Sequence, residues 1–356
     1  MTPRERVLAA LQRQEPDRVP HFEWLVDRKV RDALLPGCRD YNEFAVRMGQ
    51  DAVVVDLNFS KEALGDGRSL NGRYRSEWGY IGQKTEEEHG IEVESPIASL
   101  ADFESYIPPD PLAPGRYAAV EKAIELYGDR CAVIVHLNDV FSLPRYLMGM
   151  ENLLMAIVAD PKLVQALVDM SVRINLAMAR ELVARGIEIV YTGDDYCSSR
   201  GPFMSPRHFR ELFYEGLCRV MGGFKELGLL VIKHTDGNLW PILDMIVDSG
   251  IDCLDPIDPK GGMSIAEVKA KYGHRIAIKG NVDCADLLTF GTVEETIEAT
   301  RQALREGMPG GGFILSSSNS IHSGVKPDNY AALVRTVREF GAYVGQRLIA
   351  ATPEVH

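Results

Sequence analysis

Leu229–Asn238 places an imidazole and a carboxylate two positions apart at the end of an apolar run. Its first four residues are apolar without alternation, which is typical of a strand buried on both faces of a parallel sheet. His234 and Asp236 follow, before a helical pattern that is predicted to begin at Leu239. In a barrel of alternating strands and helices, residues at the carboxyl end of a strand face the active site. The spacing predicts that His234 and Asp236 are metal ligands or an acid–base pair, whereas the alternative is that Asp236 caps the next helix.

Polar side chains also gather after the other predicted strands. Asp194 and Asp195 are adjacent. Several carboxylates in one pocket repel one another unless they are protonated, paired with a cation such as Lys279, or bound to a metal. We predict that Asp195 is a third catalytic group, which exchanges protons or orients the substrate. The strand ends also offer residues that we expect to line the substrate pocket, namely Glu23, Asn58, His136, Asn138, Asp194, Asn281 and Asn319.

Three kinds of chemistry fit these residues. A zinc site requires three or four N, O or S ligands that converge on one point, and His234 and Asp236 would be the first two. A metal-free acid–base site would use Asp195 or His234. A Schiff base on Lys279 is the third alternative, but the polar and acidic GNVDC sequence after it would keep the amine protonated. The residues considered as further zinc ligands are Glu23, Cys284, Asn319 and His322.

The elements that position these residues alternate between apolar runs and helical patterns. Such alternation predicts a parallel sheet, and eight strands close a (β/α)8 barrel of the TIM type. The alternative is an open doubly wound sheet, but no GxGxxG turn follows an early strand. The eight predicted strands are His21–Trp24, Ala52–Val55, Ala132–His136, Glu188–Tyr191, Leu229–His234, Cys253–Asp255, Arg275–Lys279 and Gly312–Ser316.

Two additions to the barrel are predicted. Thr2 and Pro3 are typical of the start of a helix, so we expect an amino-terminal helical extension. Between about 67 and 94, short aromatic and β-branched segments separated by turn residues predict antiparallel hairpins, inserted as a flap over the barrel mouth. We expect residues 1–356 to form a single barrel domain that carries this insertion.

Charge and composition argue against several classes of protein. The net charge of −12 disfavours binding to a phosphate backbone, since no run of Lys and Arg offsets it. No apolar run approaches the roughly 20 residues of a membrane span, and no secretion signal is recognisable. The six cysteines form no CxxC pair, which indicates reduced thiols. We expect a cytoplasmic protein that binds a small molecule, without nucleic-acid or membrane partners, and leave homodimer formation open.

Over nearly its whole length the chain resembles the uroporphyrinogen decarboxylase superfamily. The superfamily fold is the (β/α)8 barrel, so the resemblance implies the fold that the strand count predicts. Tyr146 matches the pocket tyrosine of the family and is therefore expected to bind substrate. The segments that carry the resemblance are Arg4–Pro20 (RERVLAALQRQEPDRVP), Asp139–Gly149 (DVFSLPRYLMG), Gly193–Phe209 (GDDYCSSRGPFMSPRHF), Lys233–Asn238 (KHTDGN), Gly280–Leu288 (GNVDCADLL) and Gly312–Asn329.

Departures from the family pattern favour its corrinoid-dependent methyltransferase branch. True decarboxylases carry an arginine-bearing RQAGRY segment near the first strand, where this chain has HFEW and no arginine. The methyltransferases hold zinc with a His-x-Cys after strand five and a cysteine near strand eight. His234 matches the histidine, while Asp236 and Asn319 stand at the other two places. A carboxylate can replace a thiolate on zinc, and the KHTDGN segment resembles the aryl-ether O-demethylases.

The resemblance implies a methyltransferase of the O-demethylase type. Such an enzyme would move a methyl group from a small methylated substrate, such as a methoxylated aromatic compound, to a corrinoid protein with the help of zinc. The corrinoid would be carried by this separate partner, docked over the barrel mouth. The alternatives are a metal-free decarboxylase or lyase acting on a small carboxylated substrate, and a barrel that only binds its ligand.

Overall fold

The computed structural model of the protein describes residues 1–64, 72–85, 87 and 90–343. The strands are β1 (Ala52–Asp56), β2 (Lys61–Leu64), β3 (Arg73–Ser76), β4 (Ile81–Gln83), β5 (Ile91–Glu94), β6 (Ala132–Leu137), β7 (Ile189–Gly193), β8 (Cys197–Ser198), β9 (Gly201–Pro202), β10 (Leu230–His234), β11 (Cys253–Asp255), β12 (Ala277–Val282) and β13 (Phe313–Ser317).

The helices of the described residues are α1 (Pro3–Leu11), α2 (Arg28–Leu34), α3 (Tyr41–Arg47), α4 (Leu100–Ser105), α5 (Ala118–Tyr127), α6 (Ser142–Met148), α7 (Met150–Ala159), α8 (Pro161–Ala184), α9 (Pro206–Phe209), α10 (Glu215–Glu226), α11 (Leu243–Asp248), α12 (Ile265–Tyr272), α13 (Leu287–Phe290), α14 (Val293–Gly307) and α15 (Pro327–Phe340). A π-helical turn, Arg210–Tyr214, lies between α9 and α10, and a 3-10 turn, Pro259–Gly261, precedes α12. None of these helices is long and apolar enough to cross a membrane.

The predicted amino-terminal helix is present as α1, and local chemistry fixes its start. The hydroxyl of Thr2 accepts a hydrogen bond from the Glu5 N–H at 3.2 Å, and the Glu5 carboxylate accepts one from the Thr2 N–H at 2.8 Å. This reciprocal capping box, with Pro3 at the first helical position, satisfies N–H groups that the helix itself leaves without partners.

The described residues group into two compact units. The first comprises Met1–Val54, Tyr127–Val133 and the described part of Asp252–His356, and the second comprises Val55–Leu126 and Ile134–Ile251. In the first unit, β11, β12 and β13 pair as parallel neighbours in chain order. In the second unit, β6, β7 and β10 do the same. Sequential parallel strands joined by helices are the pattern of the (β/α)8 barrel, so the predicted TIM-barrel fold class is confirmed.

The strands of the second unit bring two chain segments to one edge. Val190, Val231 and Ile232 are fully buried, as the unbroken apolar runs predict. In the parallel register, Gly193 at the end of β7 lies opposite His234 at the end of β10. The residues that follow these two strands therefore leave the sheet side by side.

The first predicted strand, His21–Trp24, is wrong as a regular strand. Its only strand-like contact in the described structure is an isolated parallel bridge from His21 to Leu315. The His21 N–H donates to the side chain of Asp51 at 2.9 Å, and the Glu23 N–H donates to the side chain of Gln50 at 3.0 Å. Because side chains take these donors, no backbone ladder forms along the segment.

The predicted flap is a four-stranded antiparallel sheet in the second unit. β2, β3, β4 and β5 are neighbours in that order. The sheet begins at Lys61, earlier than the predicted start near 67. Residues 65–71, 86, 88 and 89 of this region lie outside the described part of the chain.

The helix after β10 starts four residues later than the predicted Leu239. Pro241 disfavours helical geometry at Trp240, and α11 begins only at Leu243. The residue at its N-cap is Ile242, which makes no side-chain cap. The alternative that Asp236 caps this helix is therefore wrong.

Candidate active site

The structure brings Asp195, His234 and Asp236 together at the ends of β7 and β10. One ligand atom from each side chain lies within 4.8 Å of the other two. His234 Nε2 lies 3.4 Å from Asp195 Oδ1. The imidazole is 9% exposed and the Asp195 side chain 53% exposed, so the cluster opens from a buried base to the surface. An imidazole nitrogen and two carboxylates at this spacing form a potential cation site.

The turn after Asp236 depends on a glycine. Gly237 has a φ of +86°, and a Cβ there would lie 2.5 Å from the carbonyl oxygen of Ser198. The next residue, Asn238, donates its N–H to the same carbonyl at 2.9 Å. Only glycine permits both the left-handed backbone and the close approach to β8, and this turn places Asp236 beside His234.

Tyr191 orients the imidazole of His234. Its hydroxyl lies 2.9 Å from His234 Nδ1, and the two rings stack with centroids 5.7 Å apart. If Nδ1 carries the hydrogen and donates it to the tyrosine, Nε2 presents its lone pair toward Asp195 and Asp236. Tyr191 was not predicted, although an aromatic residue with a hydroxyl in a buried strand requires a hydrogen-bond partner.

Beneath the cluster lies a buried ion pair that sequence reasoning missed. The ammonium of Lys233 lies 2.7 Å from Asp139 Oδ2, and both side chains are fully buried. It also donates to the backbone carbonyls of Asp194 at 2.9 Å and His234 at 2.8 Å. Lys233 thus joins the exits of β7 and β10. A lysine at the end of a buried apolar run was a usable signal, since a buried ammonium needs an anionic partner.

Asp194 is fully buried and holds the start of α6. Its carboxylate accepts the N–H groups of Asp139 at 3.1 Å, Phe141 at 2.5 Å and Ser142 at 2.9 Å. Burial raises the pKa of the Asp194 carboxyl well above its ordinary value, and the negative charge of Asp139 adds to the shift. Burial opposes ionisation of Asp139 as well, but the ammonium of Lys233 lowers the pKa of that carboxyl. These contacts place Asp194 inside the protein, where it positions the backbone around the site.

Tyr146, on α6, lies in an aromatic group that includes the flap. Its ring centroid is 5.6 Å from that of Tyr80, and the guanidinium of Arg145 lies 4.4 Å from its centroid. Arg145 also pairs with Glu92 of β5, at 3.2 Å. Burial raises the pKa of Tyr146 to about 12, so its hydroxyl stays protonated near neutral pH. Arg145, on which the negative charge of Asp195 also acts, is a further residue that sequence reasoning missed.

His136 and Asp56 form a second imidazole–carboxylate pair in the same unit. His136 Nδ1 lies 2.7 Å from Asp56 Oδ1. Asn138, two residues further, is half-buried. Asn58 is exposed, and its side-chain oxygen accepts the N–H of Ala119 at 3.1 Å, so it contacts the first turn of α5.

The other predicted pocket residues belong to the first unit. Glu23 is buried, and its carboxylate accepts both the N–H and the hydroxyl of Ser317, the latter at 2.6 Å. Asn281 is half-buried in β12 and lies opposite Ser316 of β13. Asn319 is exposed, and its side-chain oxygen accepts the N–H of the next residue at 2.7 Å.

The structure also shows the surroundings of Lys279, considered for a Schiff base, and of Cys284, considered as a zinc ligand. Lys279 pairs with Asp255 at 2.7 Å, with both side chains almost fully buried, so its amine is engaged in an ion pair rather than presented as a Schiff-base nucleophile. Burial raises the pKa of Cys284 to about 11, and burial with the charges of Asp236 and Asp195 raises that of Cys197 to about 12. These cysteines are therefore neutral thiols near neutral pH.

Comparisons with known proteins relate this architecture to one family. The pattern that defines the uroporphyrinogen decarboxylase (URO-D) family matches residues 81–340. A methylated-thiol–coenzyme M methyltransferase of Methanosarcina mazei is 25% identical over 221 residues, which cover 62% of this chain and 57% of the relative. A uroporphyrinogen decarboxylase of Thioalkalivibrio sulfidiphilus is 27% identical over 164 residues, or 45% and 44% of the two chains. The chain thus spans about half the length of these relatives.

A solved structure shares the fold. A methyltransferase from Methanosarcina mazei superimposes with a TM-score of 0.77 over 96% of this chain and 100% of its own. The two sequences are 19% identical in that superposition, so the likeness concerns the fold.

Proposed function

Since the chain belongs to the uroporphyrinogen decarboxylase family, we propose that it is an enzyme that transfers a methyl group from a small methylated substrate to a corrinoid protein. The observation that carries the proposal is the open cluster of Asp195, His234 and Asp236 at the strand ends. The similarity to a relative named as a methyltransferase supports the reaction class.

The donor set of this cluster fits zinc. Catalytic zinc sites use three protein ligands of the His, Asp, Glu or Cys type and leave a fourth position open. Here His234 Nε2 and one oxygen each of Asp195 and Asp236 would hold the ion. The Tyr191 hydroxyl would orient the imidazole through Nδ1, as partners of metal-bound histidines do. Bound zinc would act as a Lewis acid toward the substrate oxygen.

For the substrate we propose a methyl ether, with methoxylated aromatic compounds as first candidates. Two carboxylates in the cluster present hard oxygen ligands, whereas the nearby Cys197 is a neutral thiol. Tyr80 and Tyr146 supply aromatic surface between the flap and α6. We further propose that Asn58, His136, Asn138 and Tyr146 line the substrate pocket. Glu23, Asp194, Asn281 and Asn319 remain predictions as substrate contacts.

We propose that a separate partner protein carries the corrinoid and that the enzyme is cytoplasmic. All six cysteines are free thiols, which supports a reducing compartment. The alternative of a decarboxylase is favoured by relatives that bear that name. A carboxylated substrate would, however, meet the negative charge of the cluster, so methyl transfer fits the site better. A ligand-binding barrel without activity also remains an alternative.

Metal analysis and a methyl-transfer assay test this proposal. We expect the purified protein to retain about one equivalent of zinc, and D236A to retain far less. With reduced cobalamin and guaiacol, the protein should release catechol while the cobalt(I) absorbance falls. Less than about 0.1 equivalent of zinc would contradict the zinc-assisted form. Turnover of a small carboxylated compound, without release of a phenol from any ether, would favour the decarboxylase alternative.

A further inference from the structure

The Asp56–His136 pair has the geometry of an oriented proton donor. The 2.7 Å contact joins Nδ1 to a carboxylate oxygen, and an ionised carboxylate only accepts hydrogen bonds. With Asp56 ionised, the hydrogen of this contact lies on Nδ1. This leaves Nε2 as the ring atom that gives or takes a proton, an arrangement shared by histidine–carboxylate pairs in acid–base catalysis.

The imidazole of His136 lies over the end of β7, the strand next to the one that carries His234. His136 lies at the end of β6, opposite Tyr191 of β7, and the two ring centroids are 6.2 Å apart. A Cβ at Gly193 would lie 2.7 Å from His136 Nε2, so the absence of a side chain at 193 makes room for this nitrogen. Gly193 is the register partner of His234, and neighbouring strands lie about 4.8 Å apart. Nε2 thus lies over Gly193, the residue of β7 that pairs with His234.

The two imidazoles flank Tyr191 and are not equivalent. His234 is almost buried and groups with Asp195 and Asp236, whereas His136 lies outside that group of potential ligands. The His136 side chain is 17% exposed and Asp56 is 71% exposed, so water reaches this pair. The imidazole of His234 thus belongs to the potential cation site, whereas that of His136 faces water beside it.

We propose that His136, oriented by Asp56, is the catalytic residue that protonates the leaving oxygen during methyl transfer; this rests on the proposed function. The methyl–oxygen bond breaks, and its electron pair stays on the oxygen. The methyl group passes to the electron pair of a nucleophilic acceptor of the reduced corrinoid class. The oxygen takes the proton from Nε2 and departs as an alcohol or phenol, and the imidazole regains a proton from water.

Leaving-group dependence distinguishes a proton donor from a merely structural residue. A 4-nitrophenyl methyl ether releases a stable anion and gains little from protonation, whereas guaiacol releases a basic one. We expect H136Q to lose about 10²–10³-fold in rate with guaiacol but to stay within about threefold of the wild type with the nitrophenyl ether, as general acid catalysis is typically worth 10²–10⁴-fold. D56N should show the same pattern at about tenfold. H274Q and D129N, which change exposed residues, are the matched controls.

Zinc titration and histidine NMR provide readouts that do not depend on turnover. H136Q should bind zinc like the wild type, and the ¹⁵N spectrum should show the His136 hydrogen on Nδ1, with more of the Nε2 tautomer in D56N. An equal loss of rate with both ethers, or a loss of zinc in H136Q, would overturn the role of His136 while leaving methyl transfer in place. A wild type that demethylates neither ether would overturn the proposed function and this role with it.

Discussion

His234 is held on one side by Tyr191 and faces two carboxylates on the other. The hydroxyl contact at Nδ1 is 2.9 Å, and Nε2 lies 3.4 Å from Asp195. The sequence allowed His234, Asp236 and Asp195 to be predicted as a group, because strand ends meet at one edge of a parallel sheet. It did not reveal Tyr191 or Arg145, because their roles depend on which side chains meet across neighbouring elements.

Y191F should weaken zinc binding without removing a ligand. Loss of the hydroxyl frees the His234 ring to rotate and change tautomer, and partners of this kind typically contribute 10–100-fold in metal affinity. A competition titration with a chromophoric chelator measures the change. The control is Y117F, which also removes a buried tyrosine hydroxyl, in this case one that donates to the Pro111 carbonyl. Equal zinc affinity in Y191F and the wild type would show that Tyr191 does not orient the ligand.

The exits of β7 and β10 are tied together by Lys233, and the start of α6 is tied to them by Asp194. α6 has no side-chain cap of its own, and the Asp194 carboxylate supplies acceptors for its first N–H groups. Most strands and helices were predictable from apolar runs and periodicity. The absence of a regular strand at His21–Trp24 was not predictable, because the side chains of Asp51 and Gln50 take its backbone donors, and these bonds leave no signature in the local pattern.

K233M should destabilise the protein strongly. Removing the ammonium leaves the buried Asp139 carboxylate without its charge partner, which typically costs about 3–5 kcal/mol in the free energy of unfolding. Urea unfolding measures the loss. The double variant K233M/D139L should recover part of it, since an apolar pair leaves no uncompensated charge but removes the partners of the Tyr196 hydroxyl and of two backbone carbonyls. R219A removes the exposed pair of Arg219 and Asp169 and should cost less than about 1 kcal/mol. A similar small loss in K233M would contradict a structural role for this ion pair.

The free energy of unfolding should depend on pH in the acid range because of an ion pair in the first unit. Asp17 accepts two hydrogen bonds from the Arg6 guanidinium, at 2.6 and 2.8 Å. Burial opposes ionisation here, but the bonds from Arg6 outweigh it and lower the pKa of Asp17 to about 2, from an ordinary value of 3.8. The unfolded chain therefore binds more protons between these values. The contribution of Asp17 is complete above about pH 4 and is lost as the pH falls toward 2.

D17N tests this linkage. The variant should be less stable than the wild type above about pH 4, and the difference should shrink as the pH falls toward about 2. Urea unfolding at a series of pH values between 2 and 6 measures both curves. D129N, which neutralises an exposed carboxylate, should follow the wild type throughout. A D17N curve parallel to that of the wild type would mean that the lowered pKa makes no contribution.

Two compact units of interrupted sequence make up the described chain, and this division was not predicted. Each unit winds its parallel strands in chain order, which alternation alone was sufficient to predict. The assignment of segments to units depends on packing among distant residues, for which a single sequence gives no direct signal. The prediction of one barrel domain over residues 1–356 therefore remains a prediction about domain organisation.

The ammonium of Lys233 donates to the backbone carbonyls of Asp194 and His234. The backbone that carries the candidate ligands is therefore held in place without a bound ion. A chelator that removes a bound ion would leave the backbone around Asp195, His234 and Asp236 unchanged. If the cluster binds zinc as proposed, the protein should therefore take the ion up again without refolding.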